Sequence, residues 1–283
     1  MVLLPWQEPT VRGATAMGTS TKWKGPRGDR WTAARRRLAR WRPDQRDADR
    51  RLEEIAEDHV RALHETLRAN PSAFGLLNAS GTGGVRLAKV IGSLARTRPD
   101  TWDEAVGRLA KEVSGEGGTL ADAAVRRAVA SAARQTRSRH PDLSPSSYSQ
   151  AAGGSGFASD ILCDLYQLFF ANVVAEFLRF VVAEQVKLAI PVLIAADPEG
   201  RMADWIAEQL VELVPSPCEE TAEVRELTEA VNTAESLGEA AEDSTGALSD
   251  IAQRLVPKAV GRVLGLIADE AIEESDSEGD TAA

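Results

Sequence analysis

Residues 157–188 read FASDILCDLYQLFFANVVAEFLRFVVAEQVKL, the most apolar stretch of the 283-residue chain. Charged residues recur along this run and its continuation to residue 194: Asp160, Asp164, Glu176, Arg179, Glu184 and Lys187. A membrane span needs about 20 residues with few or no charges, so the run predicts a buried core helix instead. Its last part, residues 181–194, is also compatible with a short strand.

The rest of the composition favours helices as well. The apolar residues are mainly Leu, Ala, Val and Ile, and Ala and Leu have the highest helix propensities. Aromatic residues make up only 5% of the chain, so strand formers such as Tyr and Phe are scarce. We therefore predict an all-α fold, with an irregular multi-helix body between a disordered N-terminal arm and a disordered acidic C-terminal tail.

Apolar spacing and capping residues predict where the helices begin and end. Thr101, Thr119 and Asp44 are expected N-caps, and Pro257 is expected to kink or break the last helix. The segment Ser80-Gly81-Thr82-Gly83-Gly84 is expected to be a turn between helices. The predicted helices cover residues 31–41, 44–69, 85–97, 102–113, 120–139, 157–188, 199–214, 219–237 and 246–272.

Charge divides the chain into two halves of opposite sign. Residues 1–140 hold 26 Lys/Arg and 16 Asp/Glu, whereas residues 141–283 hold 7 and 27. Such asymmetry suits either a charged partner surface or attraction between the halves within one fold. The predicted regions are a Gly/Pro-containing disordered arm (1–30), a basic helical region (31–140), a Ser/Pro/Gly linker (141–156), an acidic helical region (157–272) and a disordered acidic tail (273–283).

No motif arranges residues for catalysis or for binding a cofactor or metal. The Gly81–Gly84 segment lacks the Lys-Ser/Thr ending of a phosphate-binding loop. His59 and His64 are five residues apart, so they do not form a zinc-binding pair on one helix face. Two cysteines are too few for a disulfide framework, and we expect Cys163 in the core and Cys218 in a loop. These patterns predict a cytoplasmic, non-enzymatic protein with no cofactor, metal or membrane anchor.

A basic segment, residues 22–51, holds twelve Lys/Arg and four acidic residues. Interleaved tryptophans make it resemble a surface on which single-stranded nucleic acid stacks. The alternatives are a solvated helix face or a surface for an acidic partner. The candidate docking residues are Trp23, Trp31, Arg35, Arg36, Arg37 and Trp41.

The N-terminal arm carries a second pattern, Met17-Gly18-Thr19-Ser20 followed by Gly25-Pro26-Arg27-Gly28. Together with the Gly81–Gly84 segment, these residues resemble the B component of the Qat anti-phage defence system. A small residue after Met17 permits removal of that methionine, which would expose Gly18 as the N-terminus. The departure from the family pattern is the sixteen residues that precede Met17.

The resemblance implies a non-enzymatic defence protein that forms a complex with a QueC-like partner, an enzyme similar to deazaguanine synthases. It also implies that Gly18, with Thr19 and Ser20, is the element that this enzyme modifies or recognises. A free α-amine has an ordinary pKa of about 8, so part of it is nucleophilic near neutral pH. The alternative functions are a helical nucleic-acid-binding or regulatory adaptor using residues 22–51, and an adaptor that binds through its acidic half.

Overall fold

The computed structural model describes residues 25–96, 101–114, 117–141, 159–189, 196–220, 222 and 244–267. Within these ranges the regular elements are helical and no strand occurs, which confirms the all-α fold. The longer helices are α1 (Asp29–Arg40), α2 (Ala48–Ala69), α3 (Leu76–Arg96), α4 (Trp102–Val113), α5 (Leu120–Arg139), α6 (Ser159–Ala189), α7 (Pro198–Val211) and α8 (Ser244–Val263). The predicted arm up to residue 24, the linker 142–156, most of the predicted helix 219–237 and the predicted tail 273–283 lie outside the described residues.

Helix α6 is the centre of the core, as the apolar run predicts. It packs most extensively against α5 and α7, and α8 packs mainly against α3. Four of its aromatic side chains, Tyr166, Phe169, Phe170 and Phe177, are fully buried. The described part of the run is one helix to Ala189, so the strand alternative is wrong over residues 181–189.

One hydrophobic core includes residues from both charge halves. Across the undescribed linker, His140 Nε2 lies 2.8 Å from Asp164 Oδ2, which ties the end of α5 to α6. By length and composition, one helix of the described residues, Asp160–Val186, could cross a membrane, but 83% of its most apolar window is buried inside the protein. That burial is compatible with the core helix of a soluble protein.

Local side-chain chemistry sets several helix starts. Thr119 and Asp122 form a capping box at α5, with Asp122 N donating to Thr119 Oγ1 at 3.1 Å and Thr119 N donating to Asp122 Oδ2 at 3.0 Å. Thr101 caps α4 by accepting from Glu104 N. The Asp44 prediction is wrong, because α2 begins at Ala48 and the residue at its N-cap position is Asp47, which takes a positive φ of 65° and makes no side-chain capping hydrogen bond.

The predicted glycine turn is the largest error in the helix boundaries. Residues 80–84 lie inside α3, which runs unbroken from Leu76 to Arg96. The turn comes earlier, where Phe74 and Gly75 both take positive φ, 61° and 68°. Glycines disfavour a helix by only about 1 kcal/mol each, and tertiary packing overrides that cost here.

The end of α8 also differs from the prediction. The helix continues through Pro257, which lies on its exposed side, so Pro257 does not break it. It stops at Val263 rather than at residue 272, because Gly265 takes φ of +65° and Leu266 N donates back to Gly261 O at 2.8 Å. A left-handed glycine of this kind is a common helix terminator.

The two cysteines form a disulfide, Cys163–Cys218, which the sequence analysis did not predict. Cys163 is buried on α6, as expected, but Cys218 lies in the short helical stretch 217–220 rather than in a loop. The bond fastens the chain after α7 to the central helix.

Candidate partner-binding site

The arm residues Gly18, Thr19, Ser20 and Trp23 lie outside the described residues. Gly25 is the first described residue, and the next residue, Pro26, is buried. Gly28 then takes φ of 132°, a conformation that disfavours other residues, and its carbonyl accepts from Thr32 N in the first turn of α1. The base of the arm is therefore fixed to the helical body within a few residues of Lys24.

Trp31 holds that base in place. Its side chain is 2% exposed, its Nε1 donates to Thr66 Oγ1 on α2 at 2.9 Å, and its ring meets His59 edge-on at 6.1 Å. Trp41 is also 2% exposed and donates to Ala48 O at 2.8 Å. The prediction that Trp31 and Trp41 dock a partner is therefore corrected: their indoles lie in the core and offer no face for stacking.

The three predicted docking arginines have different environments. Arg35 donates to Trp31 O at 3.2 Å and to Thr32 Oγ1, so it supports the start of α1. Arg37 binds Glu54 at 2.9 Å and also Asp58 on α2. Arg36 is exposed to solvent. Only Arg36 of the three therefore faces solvent without a described role in the α1–α2 packing.

Charge pairing occurs within the basic half and between the halves. Arg30 Nε lies 2.5 Å from Glu65 Oε2, so basic residues of α1 form ion pairs with acidic residues of α2. Arg201 on α7 binds Asp49 on α2, which joins the two halves. Some charged residues of the two halves are therefore paired with each other within the fold.

A buried carboxylate, Glu176, was not foreseen from the sequence. It is 3% exposed on α6 and accepts from Ser131 Oγ at 2.6 Å. Arg127 Nε lies 2.9 Å from its Oε2, an ion-pair contact without hydrogen-bond alignment, and the same guanidinium lies 5.3 Å from the centre of the Phe180 ring. This cluster fastens α5 to α6. Only its tertiary environment distinguishes Glu176 from the chain's many surface carboxylates.

Two of the histidines, His59 and His64, contact backbone carbonyl groups inside the fold. Burial lowers the pKa of His59, whose Nδ1 lies 2.7 Å from Ile55 O. Burial also lowers the pKa of His64, whose Nε2 lies 3.0 Å from Val263 O. In the part of the chain that the structure describes, no group of three or more His, Cys, Asp or Glu side chains could hold a metal ion.

An apolar groove lies between α3 and α8. We call it the α3/α8 groove, and it encloses about 470 Å³. It contains both exposed large hydrophobic side chains of the described residues, Val85 at 37% and Ile267 at 44%. Its lining residues are Leu77, Gly81, Val85, Gln253, Val256, Pro257, Val260, Gly261, Leu266 and Ile267.

The groove and the base of the arm are connected through α2. His64 and Arg68, near the end of α2, contact Val263 O and Gly265 O at the end of α8, with Arg68 Nε donating to Gly265 O at 2.6 Å. Thr66 of the same turn holds Trp31. The arm therefore leaves the body at the end where α8 finishes. No family model, curated protein or solved structure matches this chain.

Proposed function

We propose that this chain is a cytoplasmic, non-enzymatic anti-phage defence protein, equivalent to the B component of a Qat system. Its helical body binds a QueC-like enzyme, and its arm presents Gly18 to that enzyme for modification or recognition. The sequence Met17-Gly18-Thr19-Ser20 carries the proposal, and the fixed base of the arm, where Pro26 is buried and Trp31 is hydrogen-bonded to Thr66, supports the presentation of this motif from the helical body.

A fixed base and a short arm suit the delivery of a terminal amine into a deep active site. From Gly18 to Lys24 there are seven residues. An extended chain of that length spans at most about 25 Å. Glycine has no side chain to obstruct a narrow pocket, and its free α-amine is partly unprotonated near neutral pH. An enzyme bound at the arm's base could therefore reach the amine without any rearrangement of α1.

A cytoplasmic location affects the cysteine pair. Cytosolic thiols are generally kept reduced, and disulfides that form there are usually transient. In the proposed compartment, Cys163 and Cys218 are therefore a reversible pair rather than a permanent staple.

The experiment is intact-mass spectrometry of the natively expressed protein, with and without a co-expressed QueC-like enzyme. We expect a chain that begins at Gly18 and carries a mass adduct, and we expect Gly18→Glu to lose both the adduct and phage protection while the complex still forms. The matched control is Gly13→Glu, which should change nothing because residue 13 precedes the proposed start. A retained Met1, or full protection by Gly18→Glu, would overturn the proposal.

The nucleic-acid alternative has less support. Trp31 and Trp41 are buried, and Arg37 is paired with Glu54 and Asp58. Charge reversal of Arg35, Arg36 and Arg37 is its test. Arg36→Glu alone is the cleanest variant, because Arg35 also supports Trp31. Retention of RNA or DNA that falls steeply with salt and is lost in Arg36→Glu would favour this alternative.

A further inference from the structure

We propose that the α3/α8 groove is the docking site of this chain's own acidic segment, residues 268–274, which follows Ile267 directly. The inference does not rest on the proposed function. The groove combines the two exposed large hydrophobic side chains of the described residues, Val85 and Ile267. Apolar surface concentrated in one concave site is typical of a binding surface.

The chain leaves α8 along the wall of this groove. Leu266 N and Ile267 N both donate to Gly261 O, at 2.8 and 3.1 Å, so the backbone folds back over the last turn of the helix. The Ile267 side chain then lies directly on Gly261, where an added Cβ would be 2.3 Å from Ile267 Cδ1. Ile267 is thus already seated in the groove, and residue 268 starts from that position.

The sequence beyond Ile267 has the pattern that the groove requires. Residues 267–274 read IADEAIEE, in which Ala271 and Ile272 follow Ile267 and Ala268 by four residues each. That spacing would place the four apolar side chains on one helical face, with acidic residues on the other. Residues 268–283 contain seven acidic and no basic residues.

The rim of the groove has the complementary charge. Arg86 and Lys89 are exposed on α3. They line a neighbouring hollow that shares Leu77, Gly81 and Val85 with the groove. Opposite charges at the edge of an apolar contact favour one partner and one orientation. An acidic amphipathic segment tethered at Ile267 meets both requirements, and its tether gives it a high effective concentration.

The test is zero-length cross-linking of the full chain with a water-soluble carbodiimide, which joins lysine amines to carboxylates in contact. We expect Lys89 to be joined to Asp269, Glu270, Glu273 or Glu274 at least tenfold more often than Lys111, an exposed lysine on α4. Ile272→Asp keeps every native carboxylate of the segment but removes its apolar anchor, so it should reduce the Lys89 cross-links at least tenfold. Equal cross-linking of Lys89 and Lys111, or no effect of Ile272→Asp, would overturn the proposal.

The segment could also dock in the groove of a second copy of the chain. A mixture of ¹⁴N- and ¹⁵N-labelled chains distinguishes that contact from docking within one chain. Cross-links within one chain carry a single isotope label, whereas cross-links between copies carry both labels in statistical proportion. Single-label products support the intramolecular contact. Mixed-label products at Lys89 would show that the segment docks on another molecule, and the intramolecular proposal would fail.

Discussion

On the inner side of α3, Gly83 and Gly84 face the core, whereas on its outer side Gly81 faces the open α3/α8 groove. A Cβ on Gly84 would lie 2.5 Å from Phe170 Cζ, and one on Gly83 would lie 2.9 Å from Val125 Cγ1. A Cβ on Gly81 would have no atom of the described residues within 4 Å. Glycine is thus required for close packing on one side of the helix, and on the other side it borders a groove that the described residues leave open.

The difference shows why a glycine-rich segment is not necessarily a turn. Interiors pack at nearly crystalline density, so a helix can approach an aromatic residue closely only where its own side chain is absent. The ring of Phe170 is fully buried and meets Tyr166 edge-on at 4.9 Å, so it has little room to retreat from α3.

Substitution on the inner side of α3 is expected to change the free energy of unfolding most. Gly84→Ala should lower the free energy of unfolding by about 1–3 kcal/mol, because its methyl group overpacks the contact with Phe170. Urea denaturation followed by circular dichroism measures the change. In a Phe170→Leu background the same substitution should cost less, since the smaller side chain relieves the clash. Equal costs in both backgrounds would mean that Phe170 is not the residue that excludes a side chain at position 84.

A second contrast between buried and open environments concerns pH. The pKa of His59 is lowered mainly by burial, which outweighs the raising effect of Ile55, Gln185 and Asp58, while Arg35 lowers it further. The unfolded imidazole keeps the ordinary pKa of 6.5 and therefore binds more protons than the folded one between the two values. The free energy of unfolding should fall as the pH drops through 6.5 towards the folded pKa.

Urea titrations between pH 7.5 and 5 would measure this slope, with His59→Gln as the variant. We expect the slope to decrease in His59→Gln but not to vanish, because the pKa of His64 is also lowered by burial, with Arg68 contributing. His64→Gln should remove part of the remainder. An unchanged slope in His59→Gln would show that the buried imidazole does not govern this pH dependence.

Much of the helical framework could be predicted from local sequence. The bounds of α4 and α5 match the predicted 102–113 and 120–139. Their starts could be predicted because Thr101 and Thr119 are N-caps that form hydrogen bonds with residues three positions later. The apolar run likewise identified α6 as the core helix. These features depend on residues within one or two turns, which a single sequence displays directly.

The predictions were wrong where contacts between residues far apart in the sequence determine the local structure. Gly84 reads as a turn residue until Phe170, on another helix, is seen against it. Cys163 and Cys218 are 55 residues apart, and nothing near either one indicates the other. Trp31 lies in a basic segment and reads as exposed, but its partner Thr66 is on α2. The α3/α8 groove, too, is formed by elements far apart in the chain.

Substitution on the outer side of α3 should change the free energy of unfolding least, and it should raise that free energy rather than lower it. In the Ile272→Asp background, which removes the proposed anchor of residues 268–274 in the α3/α8 groove, Gly81→Ala should raise the free energy of unfolding by about 0.5–1 kcal/mol, because alanine restricts the unfolded chain and favours the helix while its methyl enters open space. Gly107→Ala on α4 is the matched control, since a Cβ there also meets no atom within 4 Å in the described part of the chain. Equal gains at both positions would indicate that the groove floor at Gly81 has room for a methyl group. A loss at Gly81 alongside a gain at Gly107 would mean that the outer face of α3 is already in close contact with another part of the chain, and the contrast between the two sides of the helix would not hold.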